Sequence, residues 1–230
     1  MEWLQNILDF DKELFLFLNS FYNDFFDTIM LMVTRKETWF PFYLVIVFYV
    51  FKNYKSKSVL ILVFMALTII ASDQISVLIK ETVQRLRPVH EPAIEHLVHN
   101  VLRKGGLHGF VSSHAANTFA IFIFTSKIFK NKSYFFLLFI WAILVSYSRI
   151  YSGVHYPLDI VGGAVLGWLL AIVFYKLLMF VENHFFIART PKIGKTALMH
   201  KQVQTVYLVF GVLSLAVIIM THILHYYNYL

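Results

Sequence analysis

The chain has 230 residues, of which 59% are hydrophobic, 18% are aromatic and only 14% are charged, and its mean hydropathy is +0.67. Because apolar stretches recur along the whole chain, this composition excludes an ordinary soluble domain and also a soluble enzyme with one membrane anchor. The net charge of +7 would suggest nucleic acid binding in a soluble protein, but in a membrane protein it indicates basic loops beside anionic lipid. The absence of cysteine excludes disulfides, thiolate metal sites and cysteine nucleophiles.

The first 37 residues are apolar from Leu14 to Leu18 and from Phe25 to Val33, but polar side chains interrupt this part of the chain. The mixture favours a helix that lies in the membrane interface over a helix that spans the membrane. No basic segment precedes a clean apolar core, which argues against a cleaved signal peptide. We therefore expect residues 1–37 to form an N-terminal interfacial helical segment.

Six segments are apolar for most of the thickness of a bilayer, which takes about 20 helical residues to cross. In chain order they are Thr38 to Phe51, Val59 to Ile79, Ser113 to Phe129, Ser133 to Arg149, Pro157 to Val181, and Thr205 to about Tyr227. The first is short, with Pro41 in its first turn and Thr38 as the expected N-cap. The sequence thus predicts an all-α polytopic membrane bundle of about six spans. Residues 38–181 are the expected core, and residues 182–230 are the expected cytoplasmic connection and an additional C-terminal span.

The orientation of the bundle follows from the basic residues in its connections, eleven on one side and nine on the other. The first set is Lys52, Lys55, Lys57, Lys127, Lys130, Lys132, Lys176, Arg189, Lys192, Lys195 and Lys201. The second set is Lys12, Arg35, Lys36, Lys80, Arg85, Arg87, Arg103, Lys104 and Arg149. Because cytoplasmic loops are enriched in Lys and Arg, we place the first set in the cytoplasm. Both termini, the connection from Lys80 to Ser112 and the turn near Tyr151 then lie outside.

Three polar clusters fall at span ends that this topology brings to one face of the membrane. They are Lys80 with Arg87 and Pro88, then Val111, Ser112, Ser113 and His114, then Ser148, Arg149, His155 and Asp159. Three cations that converge on one place suit an anion with several oxygens, and phosphate is the obvious candidate. The two serines add a hydroxyl and the free amides of a helix N-terminus. The clusters together predict a phosphate site.

Two histidines lie within these clusters. His155 and Asp159 are four residues apart, and if the helix near Pro157 continues upstream they share one face. The carboxylate can then bind one ring nitrogen and leave the other free as a nucleophile or a base. Phosphoryl transfer through a covalent step also needs a group that protonates the leaving oxygen, and His114 can supply it. Such a reaction requires no metal and no cofactor.

The motif positions together resemble the type 2 phosphatidic acid phosphatase superfamily. The matching pattern is Lys80-x6-Arg87-Pro88, then Val111-Ser112-Ser113-His114, then Ser148-Arg149-x5-His155-x3-Asp159. Two positions depart from the pattern, because the family usually has Pro and Gly where this chain has Val111 and Ser113. The loss of Gly restricts close approach of the backbone to phosphate, so the amide contact at Ser113 is the least secure of the implied contacts.

The resemblance implies a metal-independent integral membrane lipid phosphatase with a phosphohistidine intermediate. It makes His155 the nucleophile, Asp159 its orienting carboxylate, and His114 the acid that protonates the leaving group. It makes Lys80, Arg87, Ser112 and Arg149 the phosphate ligands. The expected partners are the bilayer and a lipid phosphate, with no nucleic acid. The count of basic residues places the site at the outer face, and the short cytoplasmic connections and small size suit a bacterial inner membrane. Undecaprenyl pyrophosphate, phosphatidylglycerophosphate, phosphatidic acid and a lipid A phosphate are all candidate substrates.

Other functions stay open on the sequence alone. A phosphotransferase that passes the phosphoryl group to a sugar or lipid acceptor would use the same site. A vanadium haloperoxidase shares the oxyanion site, but those enzymes are soluble. From a different class, a channel or transporter for an anion would use the cations as a selectivity site.

Four further features have a structural interpretation that we prefer. The loop histidines His90, His96, His99 and His108 lack the spacing of a metal motif. Ser113 and His114 are adjacent on a helix and point apart, so they do not form a serine hydrolase pair. Gly163 and Gly167 are expected to allow close helix packing. Asp73 lies within a span and is expected to pair with an inward cation or amide, with a proton path as the alternative.

Overall fold

The computed structural model describes residues 2–102, 104–186 and 191–227. Arg103 and Arg189, which we counted for orientation, lie outside the described residues. The described parts of the chain form α-helices and short 3₁₀ turns, and they contain no β-strand. The helices are α1 (Glu2–Asn19), α2 (Asp24–Thr34), α3 (Phe40–Tyr54), α4 (Ser58–Val83), α5 (Ser113–Phe129), α6 (Lys132–Tyr151), α7 (Pro157–Phe185) and α8 (His200–Tyr226).

Four stretches of the described chain are long and apolar enough to cross a membrane. They are Lys36–Val83, which contains α3 and α4, then Lys132–Tyr151, Pro157–Phe185 and His200–Tyr226. The predicted all-α polytopic membrane bundle is confirmed. The count of six spans stays a prediction, because α3 and α4 fall in one stretch and α5, with 17 residues, is not among the four. The division into segments 1–37, 38–181 and 182–230 also stays a prediction.

Helix ends differ from the predicted ends for identifiable reasons. Thr38 is not the N-cap of α3, because a 3₁₀ turn over Lys36–Trp39 precedes the helix and the Thr38 hydroxyl donates to the carbonyl of Met32 at 2.6 Å. Pro41 does lie in the first turn of α3. The last turn of α7 extends past the predicted end because the buried Glu182 carboxylate is neutralised by Lys57, whose Nζ lies 2.6 Å away.

The centre of the bundle is α5, which packs against α4, α6 and α7. Two glycines of α7 make its closest contact possible. A methyl group on Gly163 would collide with the carbonyl oxygen of Ser112, and one on Gly167 with that of Ala116. The predicted packing role of the glycines is therefore confirmed, and the start of α7 is pressed against the start of α5.

The N-terminal segment is two helices, where the sequence suggested one. The break follows Asn19, and Asn23 caps α2 by accepting a hydrogen bond from the amide of Phe26 at 2.9 Å. Asn19 is buried and donates to the carbonyls of His99, Ile150 and Tyr151 at 2.8 to 3.1 Å. The segment is thus bound to the same end of the bundle as the connection between α4 and α5.

The two ends of the bundle have separate sets of contacts. At one end His225 lies 3.0 Å from the carbonyl of Asp24, which joins the end of α8 to α2. At the other end Tyr54 donates to the carbonyl of Ile128 at 2.6 Å. All three polar clusters lie at the first end, as the predicted topology requires.

Candidate active site

The end of α4 and the start of α5 bring Lys80 and Ser113 together. Ser76 and Lys80 are one helical turn apart, so both side chains face α5. The Lys80 ammonium donates to the Ser113 hydroxyl at 2.5 Å, and the Ser76 hydroxyl lies 2.6 Å from the same oxygen. Ser113 therefore fixes the ammonium at the N-terminus of α5, where the amides of the first turn have no partner within the helix.

The connection between α4 and α5 folds back on itself and positions Arg87. Leu86 and His108 form an antiparallel bridge. The Arg87 side chain donates through Nε to the carbonyl of His108 at 3.1 Å. Burial lowers the pKa of Arg87, and the nearby Asp159 carboxylate acts in the opposite direction. The guanidinium therefore lies in a partly desolvated place near Asp159.

His155 and Asp159 form a pair, but not on one helix face. The helix begins at Pro157 and does not continue upstream, so His155 lies before it and the condition for a shared helix face is not met. Asp159 instead turns back over the helix N-terminus, where Oδ2 accepts the amide of Tyr156 at 3.0 Å and lies 3.3 Å from His155 Nδ1. Both side chains are almost completely buried. The contact directs Nδ1 to the carboxylate and leaves Nε2 as the other reactive atom of the ring.

The surroundings of His155 keep the imidazole neutral. Burial, followed by the charges of Arg87, Arg149 and Lys80, lowers its pKa well below the ordinary value, while a hydrogen bond with the Gly109 backbone acts in the opposite direction. The charges of all three residues predicted to bind phosphate thus lower the pKa of this one imidazole. A neutral imidazole has a free lone pair, which a nucleophile needs.

Arg149 is held inside the protein by the N-terminal segment. It is 8% exposed, and its Nη1 donates to the Thr34 hydroxyl of α2 at 2.6 Å. Its Nε is buried and has no hydrogen-bond partner among the described residues. A buried guanidinium nitrogen without an acceptor is costly, and an anion bound beside it would satisfy it.

Ser112 is completely buried and acts as the N-cap of α5. Its hydroxyl accepts the amide of Ala115 at 3.5 Å, and its own amide donates to the carbonyl of Asp159 at 2.9 Å. Ser112 therefore joins the start of α5 to the start of α7. Gly109 is close by, and a Cβ there would lie 2.9 Å from Asp159 Oδ2. No signal in the sequence pointed to this glycine, although it allows the backbone to approach the Asp159 carboxylate.

His114 is exposed at the first turn of α5, where it lines a cavity of about 230 Å³. Asp73, Ser113 and Asn117 line the same cavity. A second cavity of about 380 Å³ continues from it, because Lys36, Tyr43, Asn117 and Ile121 line both. Its other lining residues are Ile46, Val47, Met65 and Ile69. His114 thus faces a space that becomes apolar between α3, α4 and α5.

Sequence reasoning missed Arg85 and Asp11 as site residues. The Arg85 guanidinium binds Asp159 Oδ1 through Nη1 at 3.1 Å and Asp11 Oδ2 through Nη2 at 2.6 Å. Arg85 lies two residues before Arg87, so its place in the first motif was an available signal. Nothing in the sequence pattern pointed to Asp11, which lies 74 residues upstream of Arg85.

The remaining polar features have structural partners. His99 lies 2.8 Å from Asp27 and stacks on the Tyr22 ring at a centroid distance of 3.7 Å. Within the described residues no three His, Asp or Glu side chains are close enough to hold a metal ion. Asp73 accepts a long hydrogen bond of 3.5 Å from the Asn117 amide, the kind of partner that we preferred for it.

Comparison with known proteins agrees with this arrangement. The PAP2 superfamily model matches residues 58–183. The lipid A 4′-phosphatase of Bacteroides thetaiotaomicron is 37% identical over 224 residues, which are 94% of this chain and 96% of that protein. The lipid A 4′-phosphatase of Porphyromonas gingivalis is 32% identical over 82% of this chain and 81% of its own length. The crystal structure of LpxE from Aquifex aeolicus superimposes with a TM-score of 0.55 at 27% identity, over 71% of this chain and 93% of that one.

Proposed function

Because the chain belongs to the PAP2 superfamily and is a membrane lipid phosphatase, we propose that it removes the 4′-phosphate of lipid A at the outer face of the bacterial inner membrane. The observation that carries the proposal is the buried contact of His155 Nδ1 with Asp159 Oδ2 at 3.3 Å, in a place where burial and the charges of Arg87, Arg149 and Lys80 lower the pKa of the imidazole. The choice of lipid rests on the two lipid A 4′-phosphatases that cover most of the chain.

The proposed reaction has two steps. In the first, His155 Nε2 attacks phosphorus, so that an N–P bond forms while the P–O bond to the lipid breaks. Asp159 stabilises the positive charge that develops on the ring, and His114 gives a proton to the departing lipid oxygen. In the second, water attacks the phosphohistidine with His114 as the base, which releases inorganic phosphate and restores neutral His155.

The phosphoryl oxygens would be held by Lys80, Arg87, Arg149 and the amides at the start of α5. The unsatisfied Arg149 Nε supports this assignment, because it is a donor already in place. Fixed cations stabilise the charge of the transition state without reorganising when it forms. The Ser112 hydroxyl accepts the Ala115 amide as the helix cap, and its own O–H can still donate to a phosphoryl oxygen.

The lipid part of the substrate would lie on the side of His114, because that residue serves the leaving group. There the polar cavity continues into the apolar one between α3, α4 and α5. Acyl chains entering from the bilayer fit such a space, because its lining is about as apolar as the lipid that they leave. Lys36 lines both cavities, and an ammonium there favours an anionic headgroup.

The test of this function is phosphate release from a panel of purified lipids. We expect the detergent-solubilised protein to release phosphate from lipid A faster than from phosphatidic acid, phosphatidylglycerophosphate or undecaprenyl pyrophosphate, with the His155→Ala protein as the blank. Release from none of them would exclude the phosphatase and leave the anion channel. Loss of lipid phosphate without free phosphate would indicate a phosphotransferase.

We expect activity to be undiminished in EDTA and to be inhibited by vanadate. The cations of Lys80, Arg87 and Arg149 neutralise charge that a metal ion would otherwise neutralise, and vanadate mimics five-coordinate phosphorus. Initial rates with and without each compound are the measurement. Activity that returns only on addition of magnesium or zinc would contradict the proposal.

Labelling of single cysteines tests which face of the membrane carries the site. Leu107 is 52% exposed in the connection between α4 and α5, and Ser56 is exposed at the other end of the bundle. In this cysteine-free chain, Leu107→Cys should react with an impermeant maleimide added to intact spheroplasts, while Ser56→Cys should react only after lysis. The reverse pattern would move the substrate to the cytoplasmic leaflet and leave the chemistry unchanged.

A further inference from the structure

A row of three charged side chains connects the N-terminal helix to the Asp159 carboxylate. Asp11 of α1, Arg85 after α4, and Asp159 of α7 lie in one row, with Arg85 between the two carboxylates at 2.6 and 3.1 Å. Both carboxylates are buried, at 2% and 0% exposure. Two buried carboxylates so close to each other require a shared cation, and a planar guanidinium can bind both at once.

Other contacts fix each end of this row. The Arg85 guanidinium stacks over the Tyr156 ring at 4.1 Å from its centroid. Asp11 accepts the amide of Leu158 through Oδ1 at 2.9 Å, so one carboxylate binds both Arg85 and the first turn of α7. Phe15, one turn further along α1, packs edge-on against the same Tyr156 ring at 5.3 Å. Helix α1 is therefore bound directly over the start of α7, where His155 precedes the helix and Asp159 lies in its first turn.

The two oxygens of Asp159 have separate partners. Oδ2 faces His155 Nδ1 and the Tyr156 amide, whereas Oδ1 is bound by Arg85. Arg85 thus fixes the rotation of the carboxylate that holds the imidazole. Since Nη1 and Nη2 of Arg85 both bind carboxylates, Arg85 differs from Arg149, whose Nε has no acceptor among the described residues.

We infer that Arg85, held in place by Asp11 from α1, is a positioning residue that orients the His155 nucleophile through Asp159. The inference rests on the proposed function, because it assumes that His155 attacks phosphorus. Without Arg85, Asp159 can rotate and the imidazole lone pair leaves the line of attack. Misplacement of a reacting group by about 1 Å can reduce a rate by about a hundredfold.

Three single variants, one double variant that combines Asp11→Asn with Arg85→Gln, and one control test the inference. Arg85→Gln removes the cation, and Arg85→Lys keeps the charge but loses the planar guanidinium that binds two carboxylates at once. Asp11→Asn keeps an oxygen for the Leu158 amide but loses the negative charge that holds Arg85. Glu13→Gln is the matched control, because Glu13 is an exposed acid on the same helix. Each purified protein is checked for folding by thermal melting, and kcat and KM are measured with lipid A and with p-nitrophenyl phosphate.

We expect Arg85→Gln to lower kcat by about 10- to 100-fold while KM changes little, because positioning acts on the chemical step. The loss should be equal for both substrates, since the nucleophile serves both, and vanadate should bind more weakly. Arg85→Lys should recover part of the rate. Asp11→Asn should lower kcat less, and its combination with Arg85→Gln should be no worse than Arg85→Gln alone, because Asp11 acts through Arg85.

Other results would overturn the inference. A rise of KM with unchanged kcat in Arg85→Gln would make Arg85 a phosphate ligand. A lower melting temperature with unchanged kcat and vanadate affinity would make the row merely structural. Losses of kcat from Asp11→Asn and Arg85→Gln that add up in the double variant would show that Asp11 does not act through Arg85. A wild-type protein that releases no phosphate from any lipid would instead overturn the proposed function.

Discussion

His155→Ala should reduce phosphate release by about a thousandfold or more, because the loss of a nucleophile removes the covalent route and not merely an orienting contact. The protein should still insert and fold, since His155 lies in the turn between α6 and α7 and not within a helix. Initial rates with lipid A and with p-nitrophenyl phosphate measure the effect, normalised to folded protein from size-exclusion chromatography. Residual activity within about tenfold of wild type would remove His155 from the nucleophile role.

Two further variants make this experiment decisive. His155→Asn keeps a side chain of intermediate size in a buried position and should be as inactive as His155→Ala, so that a packing defect cannot explain the loss. His184→Ala is the matched control, because His184 is an exposed histidine near the end of α7 that lies far along the helix from the site. It should retain the full rate.

His114→Ala should distinguish between leaving groups. General acid catalysis contributes about 10²- to 10⁴-fold, and we expect a loss of this size with lipid substrates, whose alkoxide leaves only with a proton. With p-nitrophenyl phosphate the loss should be less than about tenfold, since p-nitrophenolate is stable without a proton. The measurement is the ratio of kcat/KM for the two substrates in wild type and variant.

Equal losses on both substrates would contradict the assignment of His114 as the acid. Arg85→Gln, in contrast, should lower the rates with both leaving groups alike. His184→Ala serves again as the control, since His184 lies near the far end of α7 and lines neither cavity. It should leave the ratio between the two substrates unchanged.

The helical class and the grouping of the three motifs were predictable from the sequence. Apolar length predicts helices in a membrane protein, and an odd number of spans between two connections places them on opposite faces. The bounds of α5 match the predicted Ser113 to Phe129. Gly163 and Gly167 were readable as packing residues because their spacing follows the helical repeat.

Contacts between distant segments were not predictable. Helix α7 continues past Val181 because Lys57, 125 residues earlier, neutralises Glu182. Thr34 binds Arg149 across 115 residues, and Asp11 binds Arg85 across 74. No local pattern reports such pairs, since each partner looks like an ordinary polar residue at a membrane surface. The pairing of His155 with Asp159 was expected from their spacing, but the helix N-terminus forms it and a shared helical face does not.

The N-terminal helices have a consequence for what counts as the smallest catalytic unit. The family model matches from residue 58, yet Thr34 accepts a hydrogen bond from Arg149 Nη1, Asn19 binds the last carbonyls of α6, and Asp11 binds both Arg85 and the Leu158 amide. A fragment trimmed to residues 58–183 would keep every motif residue and lose all three supports. The first two helices therefore hold the residues of the motifs in place from outside the matched region. An expression tag or fusion partner belongs at the C-terminus.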